Sequence, residues 1–307
     1  MIYIKDIIAN HPIRRSEEQK EKFRKYICEE TKNINKEIKV ECLDKKHNNI
    51  LIGNIDAADV VFTAHYDTPA ASIFPNIMMP RNKVLGMIYQ FSYPIGLALL
   101  SLGISYLITN LLGLTHEIWA VLYIVLYLGS FYLLTRCFDN KNNYNDNTSG
   151  VASVLELAKK SQSNKVAFIL FDNEEKGKLG SKAFSNYHKN YNSKLIINLD
   201  CVGNGNNIII VAKDNAIKHR FYNSLKETLI GNDDYNVEFY GMKGSLSNSD
   251  YKNFECGVSV MACKKKKIIG YYTPKIHTKF DVICDNNNIE FIVNSLLSFT
   301  CCVNTSE

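Results

Sequence analysis

The chain has 307 residues, 46% apolar and 22% charged, with 16 Gly and 6 Pro. That is enough to build a full core in one or two domains, and it is unlike collagen-like or disordered sequences. A formal charge of +5 from 36 basic and 31 acidic side chains is mild, and no long basic stripe interleaved with aromatics occurs, so nucleic acid is not expected as a partner. Nine cysteines, an odd number without a CxxC pair, suggest neither a disulfide framework nor a thiolate zinc ribbon and point to a reducing compartment.

In chain order, the first ten residues carry Lys5 and Asp6 within their apolar stretch and no small-residue cleavage site after it, which does not read as a secretory signal. Residues 16–31 are charged and helical in period, with Ser16 as a cap and Glu17 and Glu18 in the first turn. Strand-like runs follow at 38–42, 50–55 and 60–64. Next comes a region unlike the rest: residues 84–115 hold no charge, His116 and Glu117 follow, and 118–135 are again uncharged and apolar. Crossing a bilayer core takes about 20 apolar residues in a helix. Residues 95–114 and 118–135 each come near that length, so 84–136 reads as an inserted transmembrane helical hairpin, with Gln90 and Pro94 marking an interfacial or kinked lead-in. The plainer alternative, a buried hairpin in a soluble core, requires that both helices be covered on all sides. Arg81 and Lys83 precede the insert, Arg136 and Lys141 follow it, and its tip has no Lys or Arg, which predicts a multi-pass cell-membrane protein with both ends cytoplasmic.

Beyond the insert, helices are expected at 148–160, 181–188, 216–230 and 287–302, and strands at 166–171, 195–199, 208–211 and 258–261. Strands alternating with helices predict an α/β fold with a mixed, mostly parallel central sheet flanked by helices. It would be a discontinuous domain of residues 1–83 and 137–307, interrupted by the hairpin at 84–136.

Ligands in such sheets gather at the carboxyl ends of the strands. Polar residues follow those ends in order: His65-Tyr66-Asp67, then Asp146-Asn147-Thr148-Ser149-Gly150 at a helix start, Asp172-Asn173-Glu174-Glu175, Asp200, and His277 in a last segment. Each has an ordinary reading alone. His65 could be a core histidine, Asp146 to Ser149 a helix cap, Glu174-Glu175 a solvated loop, Asp200 a turn cap, and His277 an exposed hairpin residue. Their shared placement at strand ends and helix starts is what singles them out.

The series His65-x-Asp67, Asp146-Asn147-Thr148-Ser149-Gly150, Glu174-Glu175, Asn198-Leu199-Asp200-Cys201-Val202-Gly203 and His277-Thr278-x-x-Asp281, with Ser249-Asp250 before strand 258–261, resembles the M28 zinc aminopeptidases and carboxypeptidases. The resemblance implies a zinc-exopeptidase-like fold and two zinc ions, one held by His65 and Asp200, the other by Glu175 and His277, with Asp146 bridging. It implies Glu174 as general base and Asp67 as the group that orients His65. Imidazole and carboxylate are apt zinc ligands, and adjacent side chains leaving a strand diverge, so Glu174 is free to move protons while Glu175 binds metal.

The insert between Asp67 and Asp146 departs from the family, whose members have a short loop there. It predicts an active-site mouth facing the inner membrane surface, lipid as a partner, and apolar or membrane-associated peptides as substrates. The ten steps from Arg136 to Asp146 limit the site to within about 35 Å of the bilayer. The expected activity is that of an aminopeptidase. The same fold also serves carboxypeptidases, glutaminyl cyclases with one zinc, and, in principle, catalytically inactive binding or scaffold proteins. Lys264 to Lys267 read as a solvated hairpin before they read as a contact to anionic headgroups, and Cys201 as a small buried hydrophobe.

Overall fold

The computed structural model describes residues 2–230 and 235–305. The amino-terminal stretch forms α1 (Ile2–Asn10), which buries Tyr3, Ile4 and Ile7 in the main core. Helix α2 (Glu17–Glu30) starts where its capping signal predicts. Ser16 accepts from the Gln19 N–H while the Gln19 side chain returns to the Ser16 N–H, satisfying two backbone donors at once. The hairpin β1 (Ile38–Leu43) and β2 (His47–Ile52) is followed by β3 (Val60–His65). Strand β2 ends earlier than the apolar run suggests because Gly53 turns the chain at φ +88°.

Two short strands, β4 (Ala70–Ala71) and β5 (Asn76–Met78), lead into α3 (Lys83–Leu112) and α4 (His116–Thr135). Strand β6 (Phe138–Asp139) returns to pair with β4 and so ties the two ends of the insert together. Then come an irregular turn, Tyr144–Ser149, α5 (Gly150–Lys160), β7 (Val166–Phe171), α6 (Leu179–Tyr187), β8 (Leu195–Leu199), β9 (Asn207–Ala212), α7 (Asp214–Ile217), α8 (Tyr222–Ile230), β10 (Asn236–Gly241), β11 (Gly257–Lys266), β12 (Gly270–Ile276) and α9 (Asn286–Thr305).

The sheet runs β1-β2-β7-β3-β8-β11. Its centre, β7-β3-β8-β11, is parallel throughout. The flanks are mixed: β1, β2 and β9 join antiparallel and β10 pairs parallel with β9. Every residue of β3, β7, β8 and β9 is buried, as strands covered on both faces require. Apolar residues of α1, α2, α5, α8 and α9 pack on one face, and Ala183 and Phe184 of α6 on the other. The expected mixed α/β architecture is thus the observed one.

Three expectations change. The helix expected at 216–230 is two, α7 and α8, because His219 Nδ1 accepts the Phe221 N–H and offers the chain a local alternative to the helical ladder. Strands β10 and β12 were not expected. The lead-in at 84–94 is no separate segment: α3 runs unbroken from Lys83, with Asn82 accepting the Leu85 N–H as its cap and Pro94 inside it. Helices α3 and α4 are both long and apolar enough to cross a membrane, and they pack against each other. Leu97, Ser101, Ser105 and Thr109, one residue in four, are the buried stripe of α3, and small residues at that spacing let helices approach closely. No residue of α4 is buried, so the hairpin is not a covered core element.

Candidate metal centre

The parallel register sets the site. His65 at the end of β3 lies opposite Phe171 at the end of β7, so His65-Tyr66-Asp67 and Asp172-Asn173-Glu174-Glu175 leave the sheet side by side, and Asp200 leaves the adjacent β8 at the same edge. Asp146 arrives from the irregular turn before α5. That turn is held from two sides. Asp281 accepts the N–H groups of Asn145 and Asp146 at 3.2 and 3.0 Å. Asn147 Oδ1 accepts from the N–H groups of Gly150 and Cys201 while its Nδ2 donates to the Leu199 carbonyl at 3.0 Å. His277 follows β12 at φ +59°, and Asn173 and Cys201, each next to a site residue, are also left-handed. Such backbone is uncommon for residues other than glycine and is found where surrounding structure enforces it.

These elements bring five predicted donors together. His65 Nε2 is 3.3 Å from Asp146 Oδ1 and 3.9 Å from Asp200 Oδ1. His277 Nε2 is 3.0 Å from Asp146 Oδ2 and 3.3 Å from Glu175 Oε1. The two oxygens of Asp146 thus face two different imidazoles. His65, Asp146 and Asp200 form one set whose donor atoms lie within 4.8 Å of one another, and Asp146, Glu175 and His277 form a second. Glu175 Oε1 is buried and accepts no hydrogen bond despite its contact with His277. A desolvated carboxylate oxygen without a donor is costly unless a cation faces it, and two imidazoles with three carboxylates are a donor set suited to zinc. The residues present therefore fit the metal.

The electrostatics follow from crowding. Burial, then the carboxylates of Asp250, Glu175 and Asp200, push the Glu174 carboxyl well above its usual range, against the pull of His65. Burial lowers the proton affinity of His65, but hydrogen bonds to Asp146 and Asp67 and the charges of Glu174 and Asp200 hold it well above the ordinary histidine value. His277 is raised in the same way by Glu175 and Asp146. Burial opposes the ionisation of Asp146, yet the two imidazoles keep it well below the usual carboxylate range. Asp250, with Oδ2 buried and unpartnered and Oδ1 accepting from Ser181, is pushed by burial up to about 7.

Asp67 sits where it can serve three groups. Its carbonyl oxygen lies 3.1 Å from His65 Nδ1, its Oδ1 lies 3.5 Å from the same atom, and its carboxylate also accepts the N–H groups of Glu174 and Glu175. Sequence reasoning missed this last role, and it missed Arg14. The Arg14 side chain is fully buried; it donates to the carbonyls of Tyr66 and His11 and to the side chains of Asn143 and Thr148. It thereby stitches the loop carrying His65 and Asp67 to the turn carrying Asp146. Lys264 to Lys267 end β11 and turn toward β12, with Ile268 at the tip 87% exposed. The carbonyl of Ile269 accepts from Asn82, the cap of α3, at 3.4 Å. Cys201 is buried.

The family model described as Peptidase family M28 matches residues 138–294. Among solved structures, the chain resembles the LapA aminopeptidase of Legionella pneumophila (TM-score 0.58, 14% identity, covering 99% of this chain and 72% of that one). It also resembles the glutaminyl cyclase of Porphyromonas gingivalis (0.59, 13%, 98% and 96%) and a zinc-dependent exopeptidase of Parabacteroides distasonis (0.58, 13%, 97% and 95%). At these identities the likeness is one of fold. No curated protein matches in sequence.

Proposed function

Because the chain belongs to peptidase family M28, a family of zinc-dependent enzymes with peptide substrates, we propose that it is an aminopeptidase working with two zinc ions at the cytoplasmic face of a membrane. The observation that carries this reading is the division of Asp146 between two imidazoles, Oδ1 toward His65 and Oδ2 toward His277. His65 and Asp200 would hold one ion, Glu175 and His277 the other, and Asp146 both. When bound, zinc supplies Lewis acidity toward the scissile carbonyl and makes water a better acid.

Glu174 lies beside these donors, and His65, Glu174 and Glu175 also come within 4.8 Å through one donor atom each. Its half-buried carboxylate has a raised proton affinity, which suits it to take a proton from the attacking water and pass it to the departing amine nitrogen. Asp67 holds the backbone from which Glu174 and Glu175 project and, through the Nδ1 contact, sets the tilt and tautomer of His65. The five ligand groups, His65, Asp146, Glu175, Asp200 and His277, and the base Glu174 are all present, which favours an enzyme over a scaffold that merely keeps the fold. Removal from the amino terminus is supported by the likeness to the Legionella aminopeptidase.

The membrane reading rests on α3 and α4. Their basic flanks, Arg81, Lys83, Arg136 and Lys141, and the uncharged tip favour an orientation with the catalytic domain in the cytoplasm. The run Lys264 to Lys267 lies beside the start of α3, where anionic headgroups would meet it. The test is incubation of the purified full chain with a defined peptide mixture, with and without a chelator, followed by mass analysis of both ends. The expected result is shortening from the amino terminus that stops on chelation, returns with zinc and is lost in Glu174→Gln. Shortening from the carboxyl terminus, loss of ammonia from amino-terminal Gln without cleavage, or no zinc-dependent change would contradict it.

A further inference from the structure

We propose that the inserted hairpin is a wall of the substrate site as well as an anchor, and that the cavity it closes takes an aromatic side chain of the substrate's terminal residue. This rests on the peptidase reading above. One cavity, of about 870 Å³, is bordered by Asn204, Asn206, Asp285 and Asn288 and touches none of the proposed metal ligands. A second, about 340 Å³, opens on Glu175 and His277 and is closed by residues of the insert. Its size is at the small end for ligand sites, roughly 300–1,000 Å³, so it suits one large side chain better than a length of peptide.

The lining is mixed, with Arg136 and Asn76 on its polar side, and its aromatic side carries the proposal. Phe74 from the loop between β4 and β5, Tyr93 from α3 and Phe131 from α4 all border the cavity. Phe74 and Tyr93 stack at 5.2 Å with 17° between planes, and Tyr93 and Phe131 at 6.3 Å with 11°. Three near-parallel rings leave an aromatic surface beside the metal centre, and a further ring in offset or edge contact is the occupant such a surface favours. Hydrogen bonds fix the wall relative to the centre. The Ser72 N–H donates to the His277 carbonyl at 2.7 Å, the Ile73 N–H to the Leu134 carbonyl of α4 at 2.9 Å, and the Tyr89 hydroxyl of α3 to the Pro75 carbonyl at 2.6 Å. A single hydrogen-bonded loop therefore joins His277 to both helices. Gln90 of α3 also lines the cavity.

The test uses the zinc-loaded full chain in lipid nanodiscs and two cleavage-resistant tripeptides whose first peptide bond is a methyleneamine, one beginning with Phe and one with Ala. Binding is measured by calorimetry. The Phe probe is expected to bind about 10-fold or more tightly than the Ala probe. The ratio is expected to fall below about 3 both in Tyr93→Ala, which breaks the stack, and in Thr135→Trp, which fills the cavity from α4. A wild-type ratio below about 3, or a ratio that survives in either variant, overturns the proposal. Turnover of the corresponding ordinary peptides on the same preparations reads the peptidase assignment separately: selective binding without cleavage contradicts that assignment and supports the pocket.

Discussion

The carboxylate of Asp67 accepts the Glu174 N–H at 2.9 Å with one oxygen, and with the other the N–H of Glu175 at 3.1 Å. Asp67, two residues beyond β3, thus positions both carboxylates that follow β7, and its carbonyl contacts the imidazole of His65 as well. Asp67→Asn keeps the shape but turns one acceptor into a donor facing an N–H. Groups that support metal ligands in this way are worth about 10–100-fold in affinity or activity. The variant should lose zinc affinity and kcat/KM together by about that factor, measured by competition with a chromophoric chelator and by peptide turnover. Wild-type values for both would show that Asp67 has no positioning role.

Gly150 opens α5 against the end of β8. A Cβ there would lie 2.3 Å from the Leu199 carbonyl oxygen and 2.4 Å from Asn147 Oδ1, so backbone has to move. Gly150→Ala should displace the turn that carries Asp146 from Asp200, with a cost of about 1–3 kcal/mol in stability and weaker zinc retention. Thermal denaturation and metal content after dialysis check this.

Behind the site, Lys20 of α2 is buried and its Nζ is 2.8 Å from Asp172 Oδ1, which is fully buried. Lys20→Met strands that carboxylate, and breaking a buried pair costs about 3–5 kcal/mol. The double variant Lys20→Met with Asp172→Leu should regain part of the loss, read from unfolding of the three proteins side by side. An unchanged midpoint in the single variant would show that the pair contributes nothing.

Zinc loading should depend steeply on pH. Without metal, His65 and His277 hold protons to well above the ordinary histidine range, and only the neutral ring binds zinc. Binding near neutrality must therefore release protons, and affinity must fall as the pH drops. Calorimetry in buffers of different ionisation enthalpy gives the number released. No dependence on buffer would mean that the rings are already neutral in the metal-free protein.

Much of this site was legible because its pieces are short runs placed at strand ends: His65-x-Asp67, Glu174-Glu175 and Asp200 each follow a buried apolar run that marks its own end. The Ser16 cap was legible for the same reason, since its signal, Ser16 followed directly by Glu17 and Glu18, is local; its partner Gln19 was not singled out. Arg14 was not. Apart from His11, its partners are 52 to 134 residues away, and a lone basic residue before a helix looks the same whether it is solvated or fully buried. Strand β12 was hidden by Pro274 and Lys275 in its last third, residue types that argue against a strand interior. Pro94 suggested a break before the first span, but α3 continues through it, because packing outweighs one missing hydrogen bond.

Metal stoichiometry by elemental mass analysis of the purified, zinc-saturated chain tests the central claim most directly, with His277→Ala alongside. The paired arrangement around Asp146 predicts two zinc ions per wild-type chain and one in the variant, with His65, Asp146 and Asp200 still in place. One ion or fewer in the wild-type protein, or the same number in both, would contradict it.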